Sequence, residues 1–406
     1  MKRGFLTALS FLLFALFFTA CRKSDDASGG RNSNLLQPGD TAVRTVLAYV
    51  VAENDLYAYA TFDLREMHSA ARDIPDNCYM LAFVDAVKKP FICRFYCNGR
   101  GEAVCDTVRR FDEDFISTDT VNFRAVLDWV QTEYPSQEMG LVMWSHGSGW
   151  TPRLGTRSFG ADNGVNTPYD INYQTMEVEQ MASVLKGLSV PLRYILFDAC
   201  FMQCVETAYA LRDCAEWLVG SPAEIPANGA PYDAIMADLM AVPFDAKALI
   251  EKYKSHYPQY NGVLLSAVDC SQMDGLAQAT AAVVPSFFSA DSLVNDSLVF
   301  KYLPDALFTS SYSYPDYCDM NGEMMLRLPN EAYLQWKEAL DKAVPYRVAS
   351  LAWVSAAKYD FLDVDFSQYS GLSMYVPRGD ERYSSFNASF KDTEWYKATG
   401  WGTTGW

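Results

Sequence analysis

Two short apolar runs in this chain each stop at a reactive side chain. LVMWSHGSGW, residues 141–150, brings in His146, and YILFDACFMQCVE, residues 194–206, brings in Cys200. A thiol at its ordinary pKa is only partly ionised near neutrality, so a cysteine nucleophile needs an imidazole or a helix N-terminus to favour thiolate. His146 is the candidate base, and Cys200 falls between a predicted strand and a predicted helix whose first-turn N–H groups would favour negative charge. Gly147-Ser148-Gly149 lets backbone come close to a substrate and leaves an N–H beside the base for an oxyanion. Asp198, two residues before Cys200 on the predicted strand, shares the face of the nucleophile; it either lines a substrate pocket or caps the next helix. A single apolar-flanked cysteine is usually core. The chemistry is read from the combination: base, flexible glycines, nucleophile and a nearby acid.

Such a pair must stand on neighbouring strand ends, and the surrounding pattern supplies them. Strands are expected at Arg44 to Val51, Cys78 to Val87, Gly140 to Ser145, Arg193 to Ala199 and Glu216 to Gly220, most of them β-branched or continuously apolar. Helices are expected at Asp55 to Arg72, from Thr118 or Asp119 through Phe123, Val126, Leu127 and Val130, at Met176 to Leu188 and at Phe201 to Arg212. A hairpin is expected from Phe91 to Arg109 with its turn near Asn98-Gly99. The alternation predicts an α/β fold, a largely parallel sheet with helices on both faces. Residues 147–170 read as a loop. Farther on the order is less regular, with helices at Asp233 to Met240 and Asp245 to Tyr253 and strands at Val263 to Val268 and Ser370 to Val376.

The ends of the chain read differently. Lys2 and Arg3 precede an apolar stretch from Phe5 to Phe18, so residues 1–20 have the form of a signal peptide. Phe18-Thr19-Ala20-Cys21 resembles a bacterial lipoprotein cleavage site, with Cys21 as the lipid-bearing residue and a membrane as partner through that anchor; an uncleaved anchor or plain secretory signal is the alternative. Residues 21–40 are polar and rich in Gly, Ser and Asn, a tether. Residues 41–240 form the expected catalytic core, and 241–406 a mixed helix and strand region completing or bracing it. The expected location is the outer membrane or cell surface, with the periplasm as alternative.

A formal net charge of −17 argues against nucleic acid and favours cationic substrates, although solubility alone explains acidity as well. Of ten cysteines, Cys78, Cys93, Cys97, Cys105, Cys204, Cys214, Cys270 and Cys318 remain once Cys21 and Cys200 are set aside, and their pairing cannot be read from sequence. With no CxxC pair and only His68, His146 and His256, zinc spacing is missing. His68 and His256 lie in polar helical surroundings, Cys204 reads as core, and Glu224 as a loop carboxylate or part of the cleft wall.

WSHGSGW around His146 and FDACFMQCVETAYAL around Cys200, with a histidine about fifty residues before the cysteine as in caspase-type proteases, resemble the clostripain-like cysteine peptidases. These are related in fold to caspases, legumain and gingipains. The likeness extends to TVLAYVVAENDL at 45–56, SPAEIPANGAPYD at 221–233 and GLSMYVP at 371–377, most of the chain beyond the tether. It implies a caspase-like sheet, a Cys200–His146 dyad and an oxyanion hole from the backbone N–H groups of Gly147 and Cys200. It also implies that Asp198 lines the S1 pocket, where a carboxylate favours Arg or Lys at P1. Self-processing after Arg153 or Arg157 is a further implication. No cofactor and no obligatory metal are expected: calcium is associated with clostripain itself, but Asp162, Asn163 and Asp170 do not match an EF-hand pattern, and calcium stays open. A catalytically silent, surface-anchored binding lipoprotein with the same fold is the rival reading, and a transpeptidase would use the same dyad.

Overall fold

The computed structural model describes residues 35–151, 159–165, 167, 173–287, 296–303, 307–308 and 313–406. Nine strands form its central sheet: β1 Ala42–Val51, β2 Cys78–Asp85, β3 Phe91–Cys97, β4 Ala103–Arg110, β5 Ser136–Trp144, β6 Leu192–Asp198, β7 Ala215–Gly220, β8 Leu264–Asp269 and β9 Tyr346–Ala349. They lie in the order β9-β8-β7-β6-β5-β1-β2-β3-β4. The five central strands from β7 to β2 run parallel, and antiparallel pairs close both sides. Residues 264–269 and 346–349, far along the chain, therefore belong to the same sheet as residues 42–51.

The strands of the parallel centre are buried on both faces, as their unbroken apolar runs require. On one face Leu47, Tyr49 and Val51 of β1 pack against Phe123, Val126, Leu127 and Val130 of α2 (Thr120–Glu133), with α3 (Val178–Leu185) and α4 (Val205–Ala210) on the same layer. On the other, Val46, Ala48 and Val50 meet Leu64 and Met67 of α1 (Tyr57–Ser69), Ile235 and Met236 of α5 (Tyr232–Met240) and Leu249 and Ile250 of α6 (Ala246–His256). Period-two burial of one strand between two helical layers is the α/β arrangement that the sequence predicts. Asp119 is the residue that caps α2, its carboxylate accepting from the N–H groups of Val121 and Asn122.

Two expectations are corrected. The predicted strand over Ser370 to Val376 shrinks to Ser373–Met374, which pairs with Tyr317–Asp319 outside the central sheet. The helix expected directly after Cys200 begins only at Val205, with Cys204 as its N-cap. The intervening residues turn at Phe201 and then pair with another segment: the N–H groups of Phe201 and Gln203 bond the carbonyls of Ala223 and Ser221, each at 3.0 Å. A backbone committed to that pairing cannot coil into a helical turn.

Candidate active site

Parallel β5 and β6 place Trp144 opposite Asp198. His146 and Cys200 each follow two residues later, at the same carboxyl edge of the sheet, where open α/β folds bind ligands. Gly147 shows how close the two crossings come: a Cβ there would lie 2.5 Å from the Cys200 carbonyl oxygen and 3.0 Å from the Ala199 Cβ. Only glycine admits this approach. Phe201, directly after Cys200, turns with φ 60°, a left-handed conformation that is costly for a bulky residue. Its ring, stacked on Tyr317 with centroids 4.4 Å apart, helps hold the turn.

Cys200 is partly buried, and its Sγ accepts the N–H of Ile225 at 3.4 Å. Burial pushes the thiol up to about 12, with the charges of Glu224 and Asp198 adding to the rise and the Ile225 N–H opposing it. In this conformation the thiol is neutral near pH 7. The helix-dipole assistance expected from sequence is withdrawn, because α4 starts five residues beyond Cys200 and macrodipole effects fade within a turn.

His146 is held by an acidic partner. Nε2 of His146 lies 2.7 Å from Oδ1 of Asp55, in a pair open to solvent. The hydrogen bond from His146 is the leading influence on Asp55, and it holds that carboxyl below its usual range. Asp55 follows the end of β1, the neighbour of β5, which is why it can reach the imidazole. Sequence reading missed it, although an acid just past the end of the adjoining strand was a usable signal. Among the described residues no hydrogen bond joins His146 to Cys200.

Asp198 ends β6 as a buried carboxyl that caps no helix. Its two oxygens each lie 3.0 Å from the Ala230 N–H, and Oδ2 accepts the Tyr232 hydroxyl at 2.8 Å. Burial raises its pKa to about 6, against the lowering effect of those donors. Asp63 of α1, which accepts Trp144 Nε1–H at 2.6 Å, is raised well above the usual range by burial and by the Asp198 charge. Glu66 accepts the Tyr232 N–H at 3.0 Å and is pushed up to about 7, mainly by burial and then by Asp233. Three carboxyl groups thus converge around Tyr232, on the α1 and α5 side of the sheet.

The remaining candidates have structural partners. Glu224 accepts the Ala357 N–H at 3.0 Å and so fastens the hairpin of Ala352–Ser355 and Asp360–Asp363 beside the site. Cys204 donates to Thr207 Oγ1 at 3.0 Å, and His68 Nε2 lies 3.1 Å from the Ala103 carbonyl. Asp162 holds Ser117, and Asn163 donates to the Thr167 carbonyl. Among the described residues, the group able to offer three metal-ligating oxygens is Glu53, Asp85 and Asp114. Cys21, Arg153, Arg157 and Asp170 lie outside the described residues.

The clostripain family model matches residues 48–406. The chain belongs to the clostripain family. Its sheet is thus the caspase-like one expected, and it is a cysteine peptidase. An inactive zymogen C11 protease from Parabacteroides distasonis superposes with TM-score 0.75 at 30% identity, over 89% of this chain and 99% of that one. A secreted C11 cysteine protease from Bacteroides thetaiotaomicron, in complex with an irreversible peptide inhibitor, superposes with TM-score 0.76 at 27% identity, over 89% and 100% of the two chains. No curated protein matches the sequence significantly.

Proposed function

We propose that this clostripain-family peptidase cleaves on the carboxyl side of Arg, and of Lys with lower preference, using Cys200 and His146 as a dyad. The observation that carries the specificity is the buried Asp198 carboxyl two residues from the nucleophile, with Asp63 and Glu66 around the same tyrosine. A cationic P1 side chain entering beside them favours ionisation of groups that burial now holds partly protonated. The planar fork of Arg suits a carboxylate better than the ammonium of Lys.

In the reaction His146 takes the Cys200 proton as Sγ attacks the scissile carbonyl carbon. The N–H groups of Gly147 and Cys200 hold the oxyanion. Collapse expels the amine, which receives the proton from His146 and leaves a thioester on Cys200. A water molecule, deprotonated by His146, then attacks the thioester, releasing the carboxylic acid product and returning the proton to sulfur.

The raised Cys200 thiol, bonded to the Ile225 N–H and not to His146, supports reading this conformation as a latent form, activated by cleavage after Arg153 or Arg157. The leader and Cys21 support an exported, lipid-anchored protein acting on peptide substrates at the cell envelope. Peptides with Arg, Lys, Asp or Leu at P1, supplied to reduced wild-type protein and to Cys200→Ala, test the reaction. Cleavage after Arg that is abolished by the substitution is expected. Equal turnover of all four peptides, or activity surviving in the variant, overturns the proposal. Asp198→Asn should lose the basic preference while Cys200 stays reactive toward a small alkylating agent. N-terminal sequencing of active and Cys200→Ala protein locates the activating cut.

A further inference from the structure

Three acidic side chains meet where β1 and β2 end, apart from the thiol. Glu53 follows β1, Asp85 closes β2 and Asp114 precedes α2; one oxygen from each lies within 4.8 Å of the others. Glu53 and Asp85 are fully buried. Glu53 Oε1 accepts the N–H groups of Val165 at 2.8 Å and Thr167 at 3.2 Å, whereas its Oε2 has no hydrogen-bond partner. Asp85 has none on either oxygen. Ser117, its neighbour, spends its one hydroxyl proton on Asp162 Oδ2 at 2.6 Å, and Asp162 Oδ1 accepts the Gly164 N–H at 2.9 Å. One acid of this corner is therefore saturated by donors, while the most deeply placed one is left bare and aimed at two further carboxyl groups. Burial, with the neighbouring negative charges, pushes Glu53 up to about 7 and Asp85 well above the carboxylate range. Buried anionic oxygens without donors persist at a cost that is removed by protons or by a metal ion.

We propose that Glu53, Asp85 and Asp114 form a binding site for a hard divalent cation, Ca²⁺ or Mg²⁺. All three ligands are oxygen, without a sulfur or imidazole to favour a softer metal. No contiguous loop motif encodes the site, because its ligands come from two strand ends and the segment before a helix. The sequence supplies no ligand motif, leaves calcium open and gives no reason to expect an obligatory metal. Its position gives it a purpose. Asn54 ties the intervening turn to the carbonyls of Val51 at 3.2 Å and Ala161 at 2.8 Å, and Asp55 holds His146. A cation drawing Glu53, Asp85 and Asp114 together braces the turn that carries Asp55 and the segment at Val165 and Thr167. This last consequence rests on the proposed role of His146; the site itself does not.

The test uses full-length Cys200→Ala protein, stripped with chelator at pH 7.5 and titrated with CaCl₂, with MgCl₂, and with TbCl₃ as a luminescent probe sensitised by the buried Tyr49, whose hydroxyl feels Asp85 and Asp162. Saturable Tb³⁺ luminescence is expected, displaced by whichever of Ca²⁺ and Mg²⁺ the site prefers. The melting temperature should rise by about 4 °C at a hundredfold excess over Kd. Asp85→Asn and Glu53→Gln should each weaken binding at least tenfold. Without metal both variants should melt no lower than the parent, since each amide removes like-charge repulsion; this control separates lost binding from lost folding. Asp114→Asn, on a less buried residue, serves as a third variant. Absence of saturable binding by both ions, or unchanged affinity in Asp85→Asn, overturns the site. Intact binding in Cys200→Ala, beside wild-type protein that hydrolyses no peptide, would instead overturn the proposed cleavage and leave the site standing.

Discussion

Nε2 of His146 is 2.7 Å from Asp55 Oδ1, so the proposed base is oriented by a carboxylate from the neighbouring strand end and not by Cys200. A carboxylate in this position selects one imidazole tautomer and stabilises the imidazolium formed when the thiol gives up its proton.

Replacing Asp55 by Asn should therefore lower kcat by about a hundredfold with little change in KM, on the scale of a positioned acid–base partner. Initial rates at limiting and saturating peptide separate the two constants. An unchanged kcat would remove Asp55 from the proposed machinery.

Gly147→Ala tests the close approach of the two strand ends. The added methyl would sit 2.5 Å from the Cys200 carbonyl oxygen, so the backbone must shift away from the oxyanion position. A loss of at least about a hundredfold in kcat is expected, the scale for one oxyanion donor. The melting temperature should fall as well, because the methyl would also lie 3.0 Å from the buried Ala199 Cβ and Met202 Cγ.

Phe201 allows a comparison in which the smallest residue is the better substitute. Phe201→Ala should cost about 3–5 kcal/mol of stability through the lost buried ring and its stack on Tyr317. Phe201→Gly should cost roughly 1 kcal/mol less, because glycine adopts φ 60° without the Cβ penalty that alanine retains. Chemical denaturation of the two variants decides it, and a less stable glycine variant would contradict the strained turn.

The buried acids predict an unusual stability profile. Asp198 and Asp319 are raised to about 6, and Glu53, Glu66 and Glu206 to about 7, all principally by burial. A group whose folded pKa exceeds its unfolded value binds its proton more tightly when folded. Its contribution is complete below about pH 4 and is lost as pH rises through 6 to 7. Metal-free protein should accordingly melt higher at pH 5 than at pH 8, and Asp198→Asn should flatten part of that slope. A melting temperature that climbs steadily from pH 5 to pH 8 would refute it.

The parallel strands and their helices were legible because continuous apolar runs can only be buried on both faces, and Asp119 marks a helix start by its chemistry. His146 and Cys200 were legible as abrupt ends of such runs. Three features were not. The helix after Cys200 is delayed to Val205 by pairing with Ala223 and Ser221, a tertiary hydrogen-bond choice that no local pattern records. Asp55 gains its meaning only from the order β5-β1 in the sheet. Glu53, Asp85 and Asp114 are scattered along the chain, and only the meeting of two strand ends makes them neighbours.

The strap formed by the last part of the chain also imposes a timetable. Ser373 donates its N–H to the Gln203 carbonyl at 3.1 Å, and Tyr375 donates its own to Glu206 at 2.8 Å, so the stretch just past Cys200 is finished by residues synthesised long after it. Until those residues have emerged, the loop behind Cys200 lacks its final support. A polypeptide still on the ribosome thus lacks the contacts that fix the residues after Cys200.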